Sequence, residues 1–377
     1  MNDVQLGAHA KLIRGVTFKP ADKCEPQDEN AVVCMRTKNV QATLDESDLI
    51  AIPRSLVKNP EKIVSPGDIL VSSANSWNLV GKCCQVRTLR YPSTAGGFIS
   101  ILRPTTGELD SGYLYRWFSS VDIQRRLRSF SNQTTNISNL DHKRAMKLSI
   151  PLPPLAEQRR IAGILDAADA LRAKRRESLA QLDTLLQSTF VDMFGDPNRE
   201  GSKGRIETHP VKMGDLTRIR TGKLDANAAD EDGTHPFFTC AARTLRINKA
   251  AFDAKAILVA GNGALNVKYY EGKFNAYQRT YVIESDDEAR LHSRFLHIFL
   301  DLYVSELRKK AIGGVIKYIK LPYLKDAMVE LPDLESQERF AAVVESVEQH
   351  KARQTAHLAE LDTLFASLQS RAFSGEL

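Results

Sequence analysis

Two stretches of the chain carry one pattern of apolar and polar positions. Residues 153–186 read PPLAEQRRIAGILDAADALRAKRRESLAQLDTLL, and residues 332–365 read PDLESQERFAAVVESVEQHKARQTAHLAELDTLF. Gln158 and Gln337 set the register. It holds without a gap to Leu182-Asp183-Thr184-Leu185 and Leu361-Asp362-Thr363-Leu364. Apolar residues recur at four-three spacing. The first copy has Ile161, Leu165, Ala168, Leu179, Leu182 and Leu186; the second has Phe340, Val344, Val347, Leu358, Leu361 and Phe365. This is the a/d seam of a coiled coil. Prolines stand just before each helix, where a missing N–H costs least, and Glu157 and Glu338, in or near the first turn, favour its dipole. The middle of each copy is polar, with Arg172 and Arg175 in one and Lys351 and Gln354 in the other. The pattern predicts two helices of about 35 residues, each roughly 50 Å long. Each needs a partner for its stripe. The simplest arrangement pairs the copies antiparallel, holding two domains apart.

The repeat continues more faintly outside the helices. VQLGAHAKLIRG, residues 4–15, matches VKMGDLTRIRTG, residues 211–222, each ending in a basic residue and a glycine. A strand-like run follows in each half (residues 67–78 and 256–266), then a β-rich patch (97–102 and 281–284). A helix-like stretch comes next (110–128 and 290–309), and then a Gly/Thr/Asn-rich loop. Residues 195–210 read as a linker. The expected fold is therefore mixed α/β (α+β) with an internal pseudo-twofold repeat. It has a domain over 1–150, a long helix over 151–195, a second domain over 196–330 and a second long helix over 331–377.

Composition adds bounds. With 377 residues and 42% hydrophobic content, there is material for two cores. The net charge of +6 is compatible with nucleic acid but does not demand it. Five cysteines, an odd number with no C-x-x-C pair, fit reduced thiols in a cytoplasmic protein better than disulfides or zinc. The N-terminus lacks the apolar core of a signal peptide, and no run is long enough to span a membrane. The sequence contains no phosphate-binding loop, H-E-x-x-H, G-x-S-x-G or methyltransferase Asn-Pro-Pro-aromatic tetrapeptide. Gly261-Asn262-Gly263 reads as a tight turn, and the histidines lack ligand spacing. No catalytic residue and no metal ligand is expected.

The segment IPLPPLAEQRRIAGILDAADAL, residues 150–171, resembles the central conserved region of Type I restriction-modification specificity subunits. Two domains, each followed by a conserved helix, resemble that family's whole plan. In the second helix entry, Pro332 to Gln337, the second proline and the Glu-Gln pair are lost. The resemblance implies two target-recognition domains, each reading half of a bipartite double-stranded DNA site. It implies that the helices act as a spacer ruler and dock methylation subunits, which use S-adenosylmethionine to methylate adenine. A restriction subunit, where present, brings ATP- and Mg-dependent cleavage. This chain itself is then a non-catalytic, cofactor-free DNA-binding scaffold. Because the two domains differ in sequence, its site should be asymmetric.

Base readout calls for Arg, Lys, Asn and Gln on loops, with Ser and Thr adaptable. In the first domain the candidates are Ser73, Asn75, Ser76, Trp77, Gln133, Thr134, Thr135 and Asn136, with Arg125, Arg126 and Arg128 for phosphates. In the second they are Asn262, Asn266, Tyr277, Gln278, Arg279, Lys317 and Tyr318. The seam and partner-docking candidates are Ile161, Leu165, Leu179, Leu182, Leu186, Phe340, Val344, Leu358, Leu361 and Phe365. The competing readings are a coiled-coil adaptor that binds protein and an enzyme with an unrecognised site.

Overall fold

The computed structural model describes residues 2–133 and 137–377. Contacts divide the chain into two units. One comprises Met1–Lys174 and Ala359–Leu377, the other Arg175–Leu358. The two long helices, Leu155–Phe194 and Leu334–Ser374, are 40 and 41 residues long. Each contributes one segment to each unit.

In the first unit, four antiparallel strands form a sheet in the order Ala10–Arg14, Ile99–Pro104, Ile69–Ser72 and Cys83–Gln85. A second sheet sets Ala31–Met35 parallel to Ser93–Ala95. The helix-like stretch over 110–128 is two helices, Ser111–Phe118 and Val121–Ser129. They break at Ser119-Ser120, where Ser120 is the N-cap of the second. The core joins Leu6, Ile69, Leu102, Tyr113, Trp117 and Phe118 to Ile161 and Leu165 of the first long helix. Phe365, Leu368 and Phe373 of the second long helix pack on it.

The second unit builds its sheet around Phe252–Ala260, which lies between Val267–Ala276 and Thr280–Ser285. Thr217–Thr221 flanks Thr280–Ser285, and His235–Phe238 runs parallel to Val267–Ala276. Helix Ser293–Lys310 covers one face. An aromatic cluster locks both long-helix segments to this unit. Phe190, Phe194, Phe295 and Phe340 lie within 5.1–5.5 Å, centroid to centroid, in mostly edge-to-face contacts.

The helix seam is therefore shared with the domain cores. Ile161 and Leu165 are buried in the first core; Leu186, Phe340 and Val344 are buried in the second. Leu179, Leu182, Leu358 and Leu361, nearer the middle, are half-buried, as is Phe365. Polar pairs take over there. Arg172 reaches Asp362 at 2.6 Å in the first unit, and Lys351 reaches Asp183 at 2.8 Å in the second. Arg172 and Lys351 occupy the same repeat position, as do the two aspartates of the L-D-T-L ends. Each copy thus gives a cation to the other copy's aspartate. That is the reciprocal pattern an antiparallel pseudo-twofold pair produces. Arg175 donates to His357 Nδ1 at 2.7 Å beside them.

The glutamines that fix the sequence register are fully buried and make matching bonds. Gln158 accepts from the Asp110 N–H at 2.9 Å and donates to the carbonyls of Glu108 and Pro153, both at 2.8 Å. Gln337 accepts from the His292 N–H at 2.8 Å and donates to the carbonyls of Arg290 and Pro332 at 3.1 and 3.0 Å. Asp110 and His292 are the N-caps of the helices that begin at Ser111 and Ser293. In each unit one amide ties the entry of a long helix to the start of a domain helix.

Candidate functional site

At one edge of each unit's sheet the backbone makes the same set of bonds. In the first, the Ser73 N–H donates to the Phe98 carbonyl at 2.8 Å, and the Ser73 carbonyl accepts from the Leu140 N–H at 2.8 Å. In the second, the Gly261 N–H donates to the Arg279 carbonyl at 2.8 Å, and the Gly261 carbonyl accepts from the Ile319 N–H at 2.9 Å. These bonds bring three separate segments together: the loop after the central strand, the corner before the next strand, and a late hairpin. The matching glycines at the ends of residues 4–15 and 211–222 press on that corner. A Cβ on Gly15 would lie 2.2 Å from the Gly96 carbonyl oxygen, and one on Gly222 would lie 1.7 Å from that of Ala276. No side chain fits there.

In the second unit all seven candidates gather at this edge. Asn262 bridges to Tyr318, and the Gly263 N–H donates to the Lys317 carbonyl at 2.9 Å. Gly263, at φ 66°, supplies the tight turn. Asn266 donates to the carbonyls of Cys240 and Ala264 at 2.9 and 3.0 Å, which fixes its amide. Tyr277, Gln278 and Arg279 form the corner; Gln278 donates to Asp225 at 3.2 Å. Arg279, Lys317 and Tyr318 are exposed.

The first unit gathers its candidates less completely. Strand Ala74–Asn75 pairs with Ser138–Asn139, which pairs with Asn132–Gln133, so the 73–77 loop shares one small sheet with these two late strands. Thr134, Thr135 and Asn136 lie outside the described residues. Ser73 does not face solvent. It is buried, and its hydroxyl donates to Ser100 Oγ at 2.6 Å, because it forms the base of the loop. Asn75 donates to Ser72 Oγ at 3.1 Å, Ser76 is exposed, and Trp77 is 53% exposed, so it is no core aromatic. Arg125 and Arg126 are exposed and Arg128 half-exposed on Val121–Ser129, with Arg125 paired to Asp122 at 3.0 Å. That helix leans on the same edge, where Gln124 donates to the Gly81 carbonyl at 2.9 Å.

Three exposed apolar residues at these edges are absent from the sequence-based candidates. Phe98 stands at the corner position that Arg279 holds in the second unit, and Val315 and Ile316 cap the second unit's hairpin. Their signal in the sequence was adjacency to Gly96-Gly97 and Gly313-Gly314.

Groups suited to bond chemistry are poorly placed for it. Ser100 Oγ lies 3.2 Å from His142 Nε2, a nucleophile-to-base distance, but Ser100 is only 1% exposed and its hydroxyl also meets Ser73. Burial pushes the Cys34 and Cys84 thiols up to about 12, and that of Cys83 up as well, which keeps them protonated. Among the described residues no group of three or more His, Cys, Asp or Glu is set to hold a metal. No described helix is long and apolar enough to cross a membrane.

The model of the Type I restriction modification DNA specificity domain matches residues 4–182 and again 206–361. The chain belongs to this family. It carries two copies of the specificity domain, and each match runs from one unit's sheet into a long helix. The chain is 43% identical over 152 residues to the EcoDI specificity subunit of Escherichia coli, a match covering 39% of this chain and 34% of that one. It is 26% identical to the EcoKI specificity subunit of E. coli strain K12 over an alignment of 424 residues, covering 97% of this chain and 87% of the other. The crystal structure of a Type I restriction-modification S subunit from M. genitalium superposes with a TM-score of 0.57 at 17% identity, covering 99% of this chain and 96% of that one. That likeness supports the fold of two α/β domains with a coiled coil.

Proposed function

We propose that this specificity subunit reads an asymmetric, bipartite double-stranded DNA site, one half with each unit. The observation that carries the reading is the repeated edge. In both units the same backbone bonds gather three segments; in the second they bring together Asn, Gln, Arg, Lys and Tyr, and in the first Asn, Ser and Trp, residue types suited to DNA contact. In the first unit the readers are Asn75, Ser76, Trp77, Gln133, Thr134, Thr135 and Asn136, with Ser73 holding the loop. Arg125, Arg126 and Arg128 contact phosphates. In the second unit they are Asn262, Asn266, Tyr277, Gln278, Arg279, Lys317 and Tyr318. On this reading residues 1–150 and 196–330 are the recognition domains, and 151–195 and 331–377 are spacer helices.

The helices also dock methylation subunits, which bind S-adenosylmethionine and methylate adenine in each half-site. Restriction subunits, where present, bring ATP- and Mg-dependent cleavage. The whole works in the cytoplasm. Ile161, Leu165, Leu186, Phe340 and Val344 are buried and hold the scaffold, so a partner meets other residues. Leu171, Leu185 and Leu364, 48–55% exposed, are the apolar contacts it would find. Leu185 and Leu364 occupy the same repeat position, as two symmetric partners require.

The test is a methylome. The chain is expressed with its methylation subunit in a methylation-free host, and N6-methyladenine is mapped. One asymmetric motif in two halves around a fixed spacer is expected. Absence of methylation despite a formed complex, together with DNA affinity insensitive to salt, would favour a protein-binding adaptor.

A further inference from the structure

The hairpin at the second unit's edge carries an apolar tip that none of the polar readers explains. Its base is rigid. The Ile312 N–H donates to the Tyr318 carbonyl at 3.0 Å, and the Tyr318 N–H returns a bond to the Ile312 carbonyl at 2.8 Å. Tyr281 donates its hydroxyl to the Ile319 carbonyl at 3.2 Å. The turn depends on Gly313, whose φ is 118° and where a Cβ would lie 2.5 Å from the Ile316 carbonyl oxygen. This frame projects Val315, fully exposed at 104%, and Ile316, 62% exposed. Single exposed aliphatics are ordinary. Two adjacent β-branched ones on a braced tip, flanked by the exposed Lys317 and Tyr318 and joined to Asn262, form a contact surface.

The same place in the first unit holds one exposed aliphatic. Leu140 and Ile319 make the equivalent bond, so Ile137, 44% exposed, stands where Ile316 does. The two domains differ strongly elsewhere, so recurrence of an exposed isoleucine at this position points to a shared contact.

Resting on the DNA-reading function proposed above, we infer that Val315 and Ile316 read the C5-methyl group of a thymine in the second unit's half-site. In the major groove thymine is the one base that presents a methyl group, and apolar side chains recognise it by contact. The flanking Lys317 suits a phosphate-lined groove rather than an apolar protein partner. A half-site methylated at adenine always contains such a thymine, because one pairs with the adenine.

The experiment uses the chain assembled with its methylation subunits and a duplex carrying the mapped site. Each thymine of the second unit's half-site is replaced in turn by deoxyuridine, which removes only the methyl group. For the native complex, one replacement should weaken binding about three- to five-fold, the factor for one buried methyl or methylene group. A Val315→Ser, Ile316→Ser variant, substituted where side chains are exposed, should keep its melting temperature and bind the thymine duplex weaker by at least that factor. It should no longer distinguish thymine from uracil. Native binding indifferent to every replacement overturns the inference, as does a variant that still distinguishes the two bases. A variant weakened equally on both duplexes also overturns it and points to a wedge or a protein contact. Failure of the native complex to bind the site specifically sinks the underlying DNA-reading function instead.

Discussion

Gln158 and Gln337 each satisfy three backbone groups with one buried amide. Gln158→Glu removes the two donated bonds and puts a carboxylate against the carbonyls of Glu108 and Pro153. A buried acceptor left without its donor costs about 1–3 kcal/mol, and a buried charge adds to that. Thermal unfolding should fall by roughly 5–10 °C, given about 2–4 °C per kcal/mol for a unit of this size. Gln337→Glu should do the same. A loss of less than 2 °C in either would show that the amide does not hold the helix entry. These residues were legible as register marks, since they anchor the sequence repeat. Their burial was not, because it depends on the loops Glu108–Asp110 and Arg290–His292, which approach from far along the chain. Ser73 shows the opposite failure. Its residue type fits DNA contact, but its place at the loop base turns its hydroxyl inward to Ser100.

Helix Ser293–Lys310 places His297 beneath the long-helix segment, its ring 5.7 Å from that of Tyr269. Burial pushes its pKa down to about 4, and the positive charges of Arg294 and Lys351 add to the effect. Its folded value lies below the unfolded one of about 6.5. The unfolded chain therefore takes up a proton first as pH falls. The full stability is present above pH 6.5 and is lost progressively between 6.5 and 4. The loss attributable to this ring is on the order of 3 kcal/mol, from the difference between those two values. His297→Phe should flatten that part of the profile, so melting curves at pH 7 and pH 4.5 should differ less for the variant than for the native chain. Parallel profiles would mean that the ring does not stay neutral. The existence and start of the long helices were legible from prolines and four-three spacing. Their extra length was not, since Phe190 and Phe194 continue the helix by packing on Phe295 and Phe340. In the sequence the late hairpin shows only as a Gly/Thr/Asn-rich loop, because its single pair Ile312–Tyr318 leaves no alternating pattern and its place is set by the distant Gly261-Asn262.

The reciprocal pairs Arg172–Asp362 and Lys351–Asp183 fix the register of the helices against each other, so length can be added only to both together. One heptad inserted between Arg176 and Glu177 and another between His357 and Leu358 keeps those pairs and preserves the facing stripes, since seven residues restore nearly the same helix face. The insertion adds about 10 Å along each helix. That distance corresponds to about three base pairs at about 3.4 Å each. Three base pairs also turn the duplex by about 100°, at 10–10.5 base pairs per turn, and the DNA resists that twist. The expected outcome is thus a spacer lengthened by one to three base pairs, read from the methylome of the inserted variant, with both half-sites unchanged. A heptad in one helix alone breaks the reciprocal pairs and should abolish methylation rather than shift the spacer. If the doubly inserted variant changed its half-site letters and kept its spacer, the helices would not be the ruler and recognition would not reside in the two edges. The same mapping therefore tests which part of the molecule measures and which part reads.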